Sequence, residues 1–151
     1  MDKNALFYKF VAFTTSVHQV THEITKDVKS DAITPVQHSI LEYIAVSQPV
    51  TISQISDCQN MSMPNTSREL KKLCEKNLCE KFAVAEDLRK QYIRLSKEGE
   101  VMMTEAFKHI EARFMQRIKE ASDVDLEEIN RSLDVLHSKV FYSSISLLRC
   151  N

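Results

Sequence analysis

A single glycine, Gly99, serves the entire 151-residue chain. Globular chains average about 7% glycine, and tight β-turns and phosphate-cradling loops depend on it. Only three prolines, Pro35, Pro49 and Pro64, add further punctuation. A sheet-rich fold with many tight turns is therefore excluded, as is a Gly-rich nucleotide loop, and a mainly helical chain is expected. The hydrophobic fraction of 43% against 27% charged supports a packed core. No apolar run approaches the ~18 residues of a membrane span. The Met-Asp-Lys-Asn start has no basic, apolar and small-residue sequence of a secretory signal. A cytoplasmic protein with no membrane association is expected, with Cys58, Cys74, Cys79 and Cys150 as reduced thiols. Their spacing lacks the paired CxxC of a zinc site.

Net charge is −1, yet the charge is unevenly spread. Residues 1–61 carry −2, residues 62–97 carry +4, and residues 98–151 carry −3. A basic middle between acidic flanks suggests that the middle meets a polyanion.

Helical periodicity organises the rest. Leu6, Phe10, Phe13, Val17, Val20, Ile24 and Val28 step by three and four, predicting one long helix over 4–28. Asp31 and Thr34-Pro35 interrupt it. A second helix is expected from Pro35 to Val46, burying Val36, Ile40, Leu41 and Ile44. Thr51 caps a short third helix over 52–58, with Ile52 and Ile55 inward. Ser62 caps a fourth that runs to Lys76, with Pro64 in its first turn and Leu70 and Leu73 inward. Asn77 stands where a left-handed residue ends a helix. The period then changes: strands are expected over 78–84 and 91–95 around a polar tip, Ala85 to Lys90. Ser96 caps a helix bearing Met103, Phe107, Ile110, Phe114 and Ile118. After Ser122-Asp123, a last helix bears Leu126, Ile129, Leu133, Leu136 and Val140, and its apolar character continues through Phe141, Ile145, Leu147 and Leu148.

Helix, short helix, turn, longer helix and hairpin is the order of a winged helix-turn-helix. Its second helix must present short polar side chains and a cation to the major groove. Here that end reads Ser62-Met63-Pro64-Asn65-Thr66-Ser67-Arg68. Asn65 and Arg68 can pair with adenine and guanine edges. Ser62, Thr66 and Ser67 can reach phosphates. Lys71 and Lys72, one turn on, suit phosphate or solvent equally. On the hairpin tip, Arg89 suits a minor groove and Lys90 suits phosphate or solvent. Asp87 is expected to pair with a cation and stiffen the wing.

The stretch from Thr34 to Gly99 resembles the MarR family of bacterial transcription regulators. That family follows a capped recognition helix and an Arg with an "LxxxGLI" turn, a D-x-R wing and a strand ending "L-[ST]-x-x-G". The corresponding segments are Ser62 to Arg68, Leu73 to Cys79, Asp87-Leu88-Arg89, and Leu95-Ser96-Lys97-Glu98-Gly99. Two positions depart from the pattern: Asn77 replaces the usual Gly, and Leu88 a frequent Arg. The resemblance implies a mainly α, winged helix-turn-helix fold (34–99) within a single domain, 1–151, whose flanking N- and C-terminal helices (1–30 and 100–151) dimerise. It also implies a homodimer on a pseudo-palindromic double-stranded DNA operator, commonly a repressor released by a small-molecule effector or thiol oxidation. The amphipathic flanking helices independently call for a partner surface.

Other constellations read as structural. His18 and His22 share a helix face, but without a fixed third ligand they are read as ordinary polar residues; no metal or cofactor is expected. Cys74 and Cys79 straddle the end of the recognition helix and read as small apolar side chains rather than redox sensors. Cys58 reads as core and Cys150 as an exposed tail thiol. The Met/Phe stripe at Met102, Met103, Phe107, Phe114 and Met115 reads as core. No nucleophile–base constellation is legible, so an enzyme is disfavoured. A winged-helix protein-interaction module without DNA binding is the alternative reading.

Overall fold

The computed structural model describes residues 1–28 and 32–141. The predicted Asp31, Ile145, Leu147, Leu148 and Cys150 readings lie outside these residues. The elements run α1 (Lys3–Thr25), α2 (Pro35–Ser47), β1 (Val50–Thr51), α3 (Ile52–Gln59), α4 (Met63–Glu75), β2 (Cys79–Val84), β3 (Asp87–Leu95), α5 (Lys97–Arg117) and α6 (Asp123–Leu136). A π-helical turn, His137–Phe141, follows α6. The expected mainly helical, winged helix-turn-helix architecture is present.

Local chemistry sets most boundaries. Thr34 and Gln37 form a reciprocal capping box at α2, with Pro35 in the first turn. Thr51 and Gln54 repeat the device at α3, and Ser122 and Asp125 at α6. Left-handed Asn60 closes α3 and left-handed Asn77 follows α4, at φ 52° and 59°. Helix α1 stops three residues before the expected end. Asp27 turns left-handed at φ 61°, so the last apolar step, to Val28, is not helical. The freed carbonyls of Ile24 and Lys26 accept from the Arg113 guanidinium of α5, the former at 2.9 Å. A cation at a helix C-terminus is favoured by the helix dipole.

The sheet is antiparallel in the order β1-β3-β2. Strand β1 was not expected: at two residues it is too short to show a period. It pairs Val50 with Ile93 and Thr51 with Tyr92. The hairpin tip is shorter than expected. Val84 pairs with Asp87 beside an irregularity at Ala83/Val84, so Ala85 and Glu86 alone turn the chain and Arg89 and Lys90 lie on strand β3.

The core gathers Ile40, Leu41 and Ile44 of α2, Ile55 of α3, Leu70 and Leu73 of α4, Ile93 and Leu95 of β3, and Met103 of α5. Each large aliphatic side chain so buried contributes about 1.5–3 kcal/mol. Val36, expected inside, is exposed. It follows Pro35 in the first turn of α2, on the side where the core has not begun. Met102 and Phe107 pack against the core, whereas Phe114 and Met115, farther along α5, are exposed. Helices α1 and α6 bury no residue completely. Leu6, Phe13 and Val17 on the first, and Leu126, Ile129 and Leu133 on the second, remain exposed. An open apolar groove of about 440 Å³, lined by Phe13, Val17, Leu133, Leu136 and Phe141, runs between them.

One junction explains the lone glycine. The Leu78 N–H donates to Leu73 O and the Asn77 N–H to Cys74 O, both at 2.9 Å, the two bonds of a Schellman C-cap. The Leu78 carbonyl then accepts the Ser96 N–H at 3.0 Å. Ser96 caps α5 by accepting the Gly99 N–H, and its hydroxyl donates to Asn77 O. A Cβ on Gly99 would stand 2.1 Å from the Leu78 oxygen. Because that neighbour is backbone, Gly99→Ala must displace α5 from the end of α4. The expected loss is about 1–3 kcal/mol of stability, the usual cost of overpacking. A lower urea midpoint at unchanged slope is the measurement that checks it.

Candidate nucleic-acid interface

The recognition-helix candidate, α4, divides cleanly by face. Thr66, Leu70 and Leu73 are buried at steps of four and three. Ser62, Asn65, Ser67, Arg68, Lys71 and Lys72 are exposed. Ser62 caps the helix by accepting the Asn65 N–H at 3.3 Å. Arg68 Nη1 donates to Asn65 Oδ1 at 3.0 Å, so the two base-reading candidates are already joined across one turn. That bond uses one of the guanidinium's donors and leaves the rest of its fork outward.

Thr66 is a correction. Its side chain is 0% exposed and cannot reach a phosphate. Its hydroxyl donates to Ser62 O and accepts from the buried Ser56 hydroxyl, each at 2.9 Å. This pair bolts α4 to α3. Amid a polar run, Thr66 looks like the rest of the tip, and its spacing to Leu70 and Leu73 was the signal that it faces inward.

Along the flank of α4, Lys72 pairs with Glu69 at 3.2 Å. Its charge is therefore partly matched within the protein, while Lys71 has no ion pair among the described residues.

The wing carries its cations on strand rather than loop. Asp87 Oδ1 accepts the Arg89 backbone N–H at 3.0 Å. It stiffens the tip through the backbone and not, as expected, through a side-chain cation. The two-residue turn brings that amide within its reach. Farther along the hairpin, the Phe82 and Tyr92 rings lie 5.9 Å apart. Arg94 sits 4.5 Å over Phe82 and pairs with Glu80 at 3.0 Å. Arg94 is thus held as a brace, and Arg89 and Lys90 remain exposed without an ion pair among the described residues.

A cleft of about 630 Å³ separates the start of α3 from the wing. Thr51 to Gln54 line one wall, Arg89 to Tyr92 the other. Among the described residues no carboxylate lines it, and a helix start and two cations do, so its electrostatics favour an anion. Sequence reasoning missed the α3 wall; the Thr51–Gln54 capping box was its only trace.

The remaining candidates fall elsewhere. Burial pushes the Cys79 thiol up to about 12, with Cys74 raising it further. Burial also raises Cys74, against a smaller opposing effect of Lys81. Cys58 is exposed rather than core, because the last turn of α3 carries it past the edge of the buried face. His18 and His22 are exposed on α1. His38 is buried in α2, its Nε2 3.6 Å from Glu42, and His109 is exposed on α5. Among the described residues, no three His, Cys, Asp or Glu side chains gather as metal ligands would. No helix among them is long and apolar enough to cross a membrane.

Residues 33–90 match the model of the MarR family, whose members are transcription regulators and not enzymes. No curated protein matches the chain. Among solved structures, a MarR family protein from Bacillus stearothermophilus superposes with a TM-score of 0.72 at 19% identity, covering 93% of this chain and 99% of that one. MarR of Staphylococcus aureus in complex with salicylate and kanamycin gives 0.69 at 20% identity, covering 93% and 95%. A mutant of S. aureus MepR bound to an oligodeoxyribonucleotide gives 0.56 at 19% identity, covering 88% and 97%.

Two outcomes check this geometry. Thr66→Val keeps the shape but removes the Ser56–Thr66 bond, while Ser56 still donates to Ile52 O at 2.9 Å; it is expected to lower stability by about 0.5–1.5 kcal/mol in denaturant titration. Burial, which pushes the Cys79 thiol up to about 12, keeps it protonated and poorly nucleophilic at pH 8. Iodoacetamide at that pH is expected to modify it only upon unfolding, as read by peptide mass spectrometry.

Proposed function

We propose that this chain, with its MarR-family segment at residues 33–90, is a sequence-specific double-stranded DNA-binding transcription regulator. The observation that carries the reading is the outward polar end of α4, where Asn65 and Arg68 stand joined and exposed, together with two wing cations that no carboxylate among the described residues pairs with. In this reading the start of α4 enters the major groove. Asn65 and Arg68 meet base edges, while Ser62, Ser67, Lys71 and Lys72 meet phosphates. Arg89 reaches a flanking minor groove and Lys90 its phosphate wall. The anion-favouring cleft between α3 and the wing suits the same backbone. Net charge is −1, so the attraction is local and not a property of the whole surface.

The working unit is a homodimer. The exposed apolar faces of α1 and α6 are most simply covered by the same faces of a second copy. The helices at 1–30 and 100–151 would dimerise, around a winged helix-turn-helix at 34–99, in one domain. Two recognition helices related by a twofold axis would then read the halves of a pseudo-palindromic operator. The protein is a cytoplasmic repressor, displaced when a small-molecule effector or another signal changes the spacing of the two helices. The oligodeoxyribonucleotide held by the MepR mutant and the salicylate held by S. aureus MarR support the DNA and effector parts of this reading.

Selection of bound duplexes from a random pool is expected to return a two-half-site sequence. On it, Arg89→Ala is expected to weaken binding to all duplexes and to reduce the salt slope by about 1. Arg68→Ala or Asn65→Ala is expected to relax specificity by about 1–3 kcal/mol at one base pair per half-site. Fluorescence anisotropy across a salt series measures all three. Absence of salt-dependent binding by the unmodified chain would instead indicate a protein-interaction module.

A further inference from the structure

Gln37 is a buried amide, 2% exposed, in the first turn of α2. Its Oε1 accepts from the Thr34 N–H at 3.2 Å and from Lys76 Nζ at 3.0 Å. Its Nε2 donates to Glu69 Oε2 at 3.0 Å. The other carboxylate oxygen of Glu69 accepts from Lys72 at 3.2 Å. Lys76 donates as well to Ala32 O at 2.7 Å. Glu69, Lys72 and Lys76 step by three and four along α4, so one stripe of that helix is tied to the start of α2.

The choice of glutamine is informative. A glutamate would complete the capping box equally well, since the box needs only an acceptor. The amide alone has a donor left over, and that donor meets a carboxylate. Glu69 stands among Arg68, Lys71 and Lys72 on the helix proposed to read DNA. A carboxylate freed to the outer side of that helix would oppose phosphate and cancel a neighbouring cation. The Gln37 hydrogen bond, aided by Lys72 and Lys76, keeps the Glu69 carboxyl below its ordinary range despite some opposing desolvation.

We infer that Gln37 is a positioning residue for the recognition helix: its amide holds the Glu69 carboxylate against α2, away from the phosphates of a bound duplex. The inference rests on the DNA-binding reading. It assigns to the start of α2 a part in nucleic-acid affinity that none of its own side chains plays by contact.

A side-chain exchange tests it. Gln37→Glu keeps the cap and replaces the donor with a second acceptor facing Glu69. It is expected to weaken duplex binding about tenfold, the worth of a hydrogen bond to a charged group. Its salt slope is expected to fall by about 0.9, as one cation is cancelled. Glu69→Gln alone is expected to bind at least as tightly as the unmodified chain. The double variant Gln37→Glu with Glu69→Gln rebuilds the bond with its direction reversed and has the original net charge. It is expected to restore both affinity and slope. If Gln37→Glu proves too unstable, uncharged Gln37→Met takes its place, with the same losses and the same reversal by Glu69→Gln.

Thermal unfolding in parallel confirms that each variant is folded at the assay temperature. A folded Gln37→Glu protein that binds like the original overturns the inference, and so does a double variant that fails to recover. A purely structural role would move the melting temperature without changing the slope. If the unmodified chain shows no salt-dependent binding at all, the DNA reading falls and this inference with it. Binding by the unmodified chain without rescue in the exchange overturns only the role of Gln37.

Discussion

The carbonyl of Leu78 is the constraint on which the rest of the architecture depends. It lies three residues past the end of α4 and one before the first wing strand, and it receives the N–H of the residue that caps α5. Three elements therefore begin or end around one oxygen. Gly99 must come within 2.1 Å of it, measured from where a Cβ would be, so no other residue fits without moving backbone. In a chain that does without glycine everywhere else, this position is where helix, hairpin and outer helix are held in one geometry. The motif L-S-x-x-G records three separate requirements: Leu95 fills the core, Ser96 caps, and Gly99 permits the approach.

Helix α4 is gripped on two sides by polar side chains rather than by hydrocarbon alone. Toward α3, the Ser56 and Thr66 hydroxyls meet in the interior. Toward α2, the Gln37 amide meets Glu69. Apolar packing at Leu70 and Leu73 supplies most of the cohesion but tolerates small rotations. Directional bonds at two flanks fix the angle at which the outer face is presented. No buried side-chain polar atom among the described residues lacks a partner, so these interior polar groups do not carry the cost of unsatisfied ones.

Most of the fold was legible because its boundaries are chemical. Thr34, Thr51, Ser62, Ser96 and Ser122 cap where capping residues precede apolar periodicity, and Asn77 turns left-handed where the pattern requires it. Misreadings arose where the local signal was too short or depended on distant partners. Strand β1 has no period to display. Val28 continued a heptad that Asp27 had already ended. Val36 and Cys58 lie on helical turns at the margin of the core, and only tertiary packing reveals on which side. At the candidate site, the outward placement of Asn65, Ser67, Arg68, Arg89 and Lys90 followed from the motif. The burial of Thr66 and the backbone bond of Asp87 did not, because both depend on partners that residue type alone does not name.

The wing's shape has a further consequence. Successive residues on a strand point to opposite sides, and the two-residue turn places both Arg89 and Lys90 on β3. Both still border the cleft beside α3, so the alternation spaces the two charges along its wall like teeth on a comb. With Arg94 committed to Phe82 and Glu80, Arg89 and Lys90 are the wing cations that face this cleft. Under the DNA-binding proposal, a two-residue tip so charged would be guided by groove width rather than by base edges.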